Sequence, residues 1–224
     1  MQGKRSTIGL LTDFGSGDWY VGVMKGVILS VNPQAAIVDI SHAVPRHDVG
    51  AASFALLASY KYLPDNAIIV TVVDPGVGTE RRIICAKSAG RFFLAPDNGV
   101  LTGVLEREGY EEIVSVENES LFLKPVSSTF HGRDVFAPVA GHLSLGLGIA
   151  ELGPGTADFA TITVPRPQVG ADHATVTIQW IDSFGNLITD CSGDLVEELV
   201  RRWGAAGIDL GSGGSAATGG ADSL

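Results

Sequence analysis

Apolar positions along the first 150 residues fall into two alternating patterns. Thr7-Ile-Gly-Leu-Leu-Thr12 is a short continuous apolar run that ends in Asp13-Phe14-Gly15-Ser16-Gly17-Asp18, whose glycines and small polar residues break a strand and can cap a helix. Tyr20, Met24, Val27 and Val31 then recur at helical spacing until Pro33, and Ala36-Ile-Val-Asp-Ile-Ser41 reads as a second buried strand. This predicts a βαβ unit. An Ala- and Leu-rich helix is expected from His47 to Tyr62, and Ala67-Ile-Ile-Val-Thr-Val-Val73 has the β-branched content of a strand covered on both faces, ending at Asp74. Ile83 to Ala86 and Arg91 to Ala95 flank Gly90 as a hairpin. Helices are expected over Val100 to Glu108 and Asp134 to Leu147. The fold class is therefore an α/β N-terminal domain, with functional loops at the carboxyl ends of its strands, where Asp13 and Asp74 both fall.

The pattern changes after residue 152. Residues 153–170 turn to Gly, Pro and Thr and read as a linker. Ala174, Val176, Ile178 and Trp180 then alternate with Thr175, Thr177 and Gln179, the period-two signature of a half-buried antiparallel strand. A smaller β-rich C-terminal domain is expected over 171–203, closed by a helix from Asp194 to Trp203. Seven of the last 21 residues are glycine, so 204–224 reads as a disordered tail. The C-terminal domain, at about 35 residues, is too short for an independent core; it is expected to be incomplete or to need a partner.

Composition narrows the function. The chain has 224 residues, 45% hydrophobic, with no run near the roughly 20 apolar residues that cross a bilayer and no signal-peptide pattern. The expected location is the cytoplasm. Fifteen basic against 25 acidic residues give a net charge of −10, which disfavours nucleic acid or an anionic membrane as partner and suits a small or cationic substrate. Cys85 and Cys191 are too few for a disulfide framework or a zinc knuckle.

Three segments carry candidate chemistry. Asp13 can accept ribose hydroxyls, and Asp18 is the better candidate for the helix cap that Asp13 would otherwise provide. Val73-Asp-Pro-Gly-Val-Gly-Thr-Glu-Arg-Arg82 sets an acid and two bases at one strand end, without the spacing of a phosphate loop. Thr129-Phe-His-Gly-Arg-Asp134 groups an imidazole, a guanidinium and a carboxylate just before a helix. Asp13-Phe14-Gly15 lacks the companion motifs of a kinase. His42, His47 and Asp39 lack metal-ligand spacing, so no metal site is expected. Phe184-Gly-Asn186 reads locally as a hairpin turn, and an aromatic ring beside an amide also suits a purine.

Taken in order, Leu11-Thr-Asp-Phe-Gly15, Val73 to Thr79 with Arg81, Ala95-Pro-Asp-Asn-Gly99, Phe130-His-Gly-Arg-Asp-Val-Phe-Ala-Pro138 and Ile181-Asp-Ser-Phe-Gly-Asn186 resemble the S-adenosyl-L-methionine hydroxide adenosyltransferase family, relatives of the fluorinase and chlorinase. The resemblance implies cleavage of S-adenosylmethionine to adenosine and L-methionine by water or hydroxide at ribose C5′, with no further cofactor. It places a catalytic triad on Asp74, Arg81 and His131, a ribose-binding carboxylate on Asp13, and second-domain substrate residues on Asp182, Phe184 and Asn186. Asp18, in the loop of Asp13, is counted with the substrate-binding group. Fluorinase-like enzymes carry Tyr where Asp74 stands and Ser where Gly132 stands, so no halide pocket is expected. The resemblance also implies a homotrimer whose active sites join the N-terminal domain of one subunit to the C-terminal domain of the next. The alternative is a non-catalytic adenosine- or S-adenosylmethionine-binding protein, because no convincing counterpart of the family's last strands follows residue 204.

Overall fold

The computed structural model describes residues 6–204. The chain divides into two units at Val164/Pro165, a mixed α/β unit and a smaller β-rich one. The glycine-rich tail, beyond Gly204, lies outside the described residues.

The first unit is built on a six-stranded sheet of order β2-β1-β3-β5-β4-β6, with β1 at Thr7–Thr12, β2 at Ala36–Ser41, β3 at Ile68–Val72, β4 at Ile83–Ser88, β5 at Arg91–Pro96 and β6 at Glu112–Ser115. Strands β2, β1, β3 and β5 run parallel, whereas β4 is antiparallel to both β5 and β6. Every residue of β3 is buried, as its β-branched run predicts for a central strand. β2 departs from expectation. It is an edge strand with Val38 and Asp39 exposed and no residue fully buried, so its apolar run is only half covered.

Helices α1 (Tyr20–Val31) and α2 (Val49–Ser59) make the two crossovers. Asp18 does not cap α1: the cap position is Trp19, with no side-chain hydrogen bond, and Asp18 is exposed in the preceding loop. α2 begins two residues later than its pattern suggests because Asp48 is its cap, accepting from the Ala51 N–H at 2.8 Å. Helix α3 occupies Thr102–Glu108. The final helix of the unit is compound: a π-helical turn at Gly132–Phe136 runs into α4 at Ala137–Ser144. Pro138 explains part of this, since it offers no N–H to the Asp134 carbonyl, and that carbonyl accepts instead from Leu123 N–H at 2.8 Å. α4 is tied to the end of α1 by a buried hydrogen bond from Asn32 Nδ2 to Ser144 Oγ, 2.8 Å.

Residues 153–162 follow the first unit rather than running free. Thr156 N–H donates to Ile113 O at 2.9 Å, Ala160 N–H to Asp97 Oδ1 at 2.7 Å and Ile162 N–H to Thr102 Oγ1 at 3.0 Å.

In the second unit, the alternating segment is broken into β8 (Ala174–Thr175), which pairs with β7 (Gln168–Val169), and β9 (Ile178–Ile181), which pairs with β10 (Leu187–Thr189). Thr177 sits at the break, its N–H on Asp190 Oδ1 at 2.9 Å and its carbonyl on Asp190 N–H at 3.1 Å. Helix α5 (Gly193–Trp203) is capped by Ser192 and carries Asp194 in its first turn and Arg201 and Arg202 in its last, matching its dipole. Val176, Ile178 and Ile181 remain exposed and Trp180 half-buried, so the alternation yields no buried face within the described residues.

Candidate active site

A chain that runs β1, β2, β3 while the sheet is ordered β2-β1-β3 reverses direction between β1 and β3. In open α/β sheets the crevice beyond that reversal, at the strands' carboxyl ends, is where ligands bind. Asp13 follows β1 and Asp74 follows β3, so both carboxylates stand at this edge. Because β4 is antiparallel to β5, its amino end reaches the same edge and brings Arg81 and Arg82 with it.

The acid and the two bases of the 74–82 loop separate here. Arg81 turns to Asp74: its Nε donates to Oδ1 at 3.0 Å and to Oδ2 at 2.8 Å, and its Nη2 makes a closer bond to Oδ2. Arg82 instead pairs with Asp97 at 2.7 Å and donates to the Asp158 carbonyl, holding the 156–162 segment rather than the site. Neighbours in an extended chain point to opposite sides, which divides two otherwise equivalent arginines.

Arg81 Nη2 also lies 2.8 Å from His131 Nδ1. A guanidinium has donors only, so Nδ1 is the acceptor, and the imidazole is neutral with its proton on Nε2. Burial, and then the Arg81 charge, lower the His131 pKa from its ordinary value; Asp74 and Asp134 pull more weakly in the other direction. Asp74, Arg81 and His131 thus form one connected array, with the Asp74 and Arg81 side chains only 5% and 11% exposed. A cleft of about 490 Å3, bordered by Ser115, Lys124 and Val126, opens against Arg81 and His131.

Backbone geometry brings these distant segments together. Gly78 has φ +80°, and a Cβ there would lie 2.3 Å from the Ser128 carbonyl oxygen, so the Asp74 loop can close on the 127–131 turn only without a side chain at 78. Asn98, from the third motif, donates to the Val73 carbonyl at 2.9 Å and fixes the strand end just before Asp74.

Asp13 Oδ2 accepts from His47 N–H at 2.8 Å, an ordering contact for the loop beside it. Phe14, Tyr20 and Phe130 form a mutual edge-to-face cluster with centroids 5.2 to 6.3 Å apart. Gly132 lies under it, where a Cβ would meet Met24 Sδ at 3.2 Å and the Phe14 and Phe130 rings at 3.4 Å. The cluster therefore links the loop of Asp13 to the turn of His131. Sequence reasoning missed these rings as a group, since their positions share no periodicity.

His42, Asp39 and Thr12 form a separate polar chain. Thr12 Oγ1 is 2.9 Å from His42 Nδ1, His42 Nε2 is 3.0 Å from Asp39 Oδ1, and Lys25 Nζ is 2.6 Å from Asp39 Oδ2. Asp39 thus stands within ion-pair distance of both Lys25 and His42.

In the second unit, Asp182, Phe184 and Asn186 share the β9–β10 turn. Asp182 Oδ1 accepts from the N–H groups of Phe184 and Asn186 at 2.9 and 2.8 Å, and Asn186 Nδ2 donates to Oδ2 at 2.7 Å. The Asn186 side chain, then these N–H groups, hold the Asp182 carboxyl below the ordinary aspartate range. Phe184 is 89% exposed.

An α/β sheet with its polar array at the β1/β3 reversal defines the class of ligand-binding enzyme folds to which this edge belongs. A profile of the SAM hydroxide adenosyltransferase N-terminal domain matches residues 8–153, and the chain belongs to that family. It is 38% identical to an (R)-S-adenosyl-L-methionine hydrolase of Salinispora arenicola, across 87% of this chain and 75% of that one. Identity is 39% to a protein of the same name from Thermus thermophilus, across 80% and 72%. An uncharacterized conserved protein from Thermotoga maritima superposes with a TM-score of 0.83 at 42% identity, across 86% of this chain and 74% of that one.

Proposed function

We propose that this protein hydrolyses S-adenosyl-L-methionine to adenosine and L-methionine, with Asp74, Arg81 and His131 as its catalytic residues. The observation that carries the reading is the continuous array from the Asp74 carboxylate through Arg81 to His131 Nδ1, at the sheet edge where ligands bind. Similarity to the named hydrolases supports the substrate.

The chemistry needs little from the protein beyond placement. A sulfonium leaves as a neutral thioether, so the reaction is an in-line displacement: water oxygen bonds C5′, the C5′–S pair goes to sulfur, and one proton is released. Holding the water at the attack distance is the main catalytic contribution. The neutral His131 has its acceptor nitrogen committed to Arg81, so in this arrangement it offers an N–H and orients water rather than deprotonating it. Asp74, held by Arg81, keeps lone pairs for ribose or water and offsets the substrate's positive charge. Nothing further is required as cofactor; S-adenosylmethionine is the substrate.

Asp13 serves the ribose hydroxyls, with Asp18 in the same loop, and Asp182, Phe184 and Asn186 serve the rest of the nucleoside and methionine. The active assembly is a homotrimer in which the second unit of one subunit completes the site on the first unit of its neighbour. The exposed Ile178, Ile181 and Phe184 of the second unit support this reading. Free Cys85 and Cys191 suit a reducing cytoplasm. Among the described residues no helix is long and apolar enough to cross a membrane.

The test is incubation of purified protein with each sulfonium epimer of S-adenosylmethionine in 18O-water, with and without chelator. Label in the 5′-hydroxyl of adenosine under both conditions is the expected outcome. Adenosine binding without product would assign a binding protein, and loss of product under chelation a metal enzyme.

A further inference from the structure

Asp134 is fully buried and charged, three residues from His131, and the reaction scheme above leaves it without a task. Its contacts all run back toward the triad. Oδ2 accepts from Ser127 N–H at 2.8 Å, at the start of the turn that carries His131. Arg133 closes a two-pronged bond on it, Nε to Oδ1 at 2.5 Å and Nη2 to Oδ2 at 2.8 Å. The same guanidinium lies 5.2 Å over the Phe130 ring, within the aromatic cluster that reaches Phe14. The Asp134 carbonyl, released by Pro138, takes Leu123 N–H and anchors the irregular segment that leads into the same turn.

A buried carboxylate is costly unless every lone pair is used, and a hydrophobic residue fills such a space at lower cost. Here the charge is spent on both ends of one turn: Ser127 at the entry and Arg133 with Phe130 around the exit. The turn between them is the one on which Gly78 closes and from which His131 reaches Arg81. Resting on the hydrolase reading, we propose that Asp134 is the positioning residue that holds His131 in register with Arg81.

The charged and titratable groups around His131 are Arg81 and Asp74 from the β3–β4 loop, Asp134 on its own turn, and Arg82, Glu117, Glu119 and Lys124 along the adjoining cleft. Only Asp134 both touches the His131 turn and opposes the effect of Arg81 from inside it. Burial raises the Asp134 carboxyl, but Arg133, the Ser127 N–H and His131 outweigh it and leave the pKa below the ordinary range, so the group is ionised at neutral pH.

Asp134→Asn keeps the shape and an acceptor for Ser127 N–H while removing the charge. Two readouts are taken on it: steady-state hydrolysis, and the histidine ring C–H signals by NMR across pH, with His131 assigned by its loss in His131→Ala. The expected result is a fall in kcat of about ten- to a hundredfold at nearly unchanged KM, together with a downward shift of the His131 titration. A merely structural Asp134 would lower the melting temperature and leave the titration where it is in the wild type, and that result overturns the proposal. Should Asp134→Asn fail to fold, Arg133→Lys keeps the carboxylate and the positive charge but loses the fork. That variant is expected to slow kcat severalfold with the titration unmoved, and a wild-type rate overturns the proposal. The titration needs no substrate, so a wild-type protein that releases no adenosine would overturn the hydrolase reading and leave this one standing.

Discussion

The two units handle the same raw material differently. In the first, apolar runs are enclosed: Ile8, Leu10, Met24, Val70, Leu94 and Phe136 are all inaccessible to solvent. In the second, an equally apolar alternation ends in two small two-stranded sheets, and among its described residues only Leu199 is buried. A sheet with crossover helices closes its own core, whereas a pair of short hairpins has no second layer to press against. The first unit can therefore hold charged groups in fixed geometry, as it does with Asp74, Arg81 and Asp134. The second presents apolar side chains and a well-ordered Asp182 turn, which fits a part that acts on something outside itself.

The largest effect that would break this comparison is complementation. Asp74→Ala and Asn186→Ala should each abolish hydrolysis alone, while mixed and reassembled trimers should recover turnover at roughly a quarter of the interfaces, those that carry neither change. Recovery of nothing in subunits shown to exchange would place both residues in one chain's own site. Next in size is Arg81→Ala. It leaves the Asp74 carboxylate without its partner and His131 without its donor, and kcat should fall about 10²- to 10³-fold while adenosine affinity, read by calorimetry, stays within a few-fold.

Stability sharpens the contrast further. Phe136→Ala should cost about 3–5 kcal/mol in denaturant unfolding, since that ring is fully buried. Ile181→Ser should change monomer stability by only about 0.5 kcal/mol, because the residue is 61% exposed, but should weaken the proposed trimer on a sizing column with light scattering. The smallest effect is on pH. The water-orienting arrangement needs neutral His131, and burial with Arg81 depresses its folded pKa below the ordinary 6.5. Activity should thus hold as pH drops past the ordinary value and fall only through the depressed one, as read from kcat/KM against pH. Loss of activity already above pH 6.5 would show that a different group titrates.

Much of this was legible in the chain, for physical reasons that also mark where legibility stops. β1 and β3 were readable because a central parallel strand must be apolar on both faces. β2 looked the same over six residues, and only its place at the sheet edge makes Asp39 an exposed partner of Lys25 and His42. The period-two run from Ala174 to Trp180 predicts one half-buried strand, but the structure breaks it at Thr177, an interruption that depends on Asp190, thirteen residues on. Of the site, Asp74 and His131 could be picked out by residue type and by position beside glycines. That Arg81 rather than Arg82 joins them is decided by the pleat and by Asp97, neither of which local pattern expresses. Asp134 could be picked out as the carboxylate of the Thr129–Asp134 cluster, but that it is fully buried and takes the Ser127 N–H seven residues earlier is decided by the fold of the turn.

The contact between position 78 and the Ser128 carbonyl has a consequence for how such a chain can change over generations. Any residue with a Cβ at 78 demands that the 127–129 segment retreat, and His131 would retreat with it. The two segments are fifty positions apart in sequence but are not free to vary separately. Among descendants that keep the imidazole in place, Gly78 should therefore remain glycine, and lineages that lose it should show compensating change in the stretch before His131.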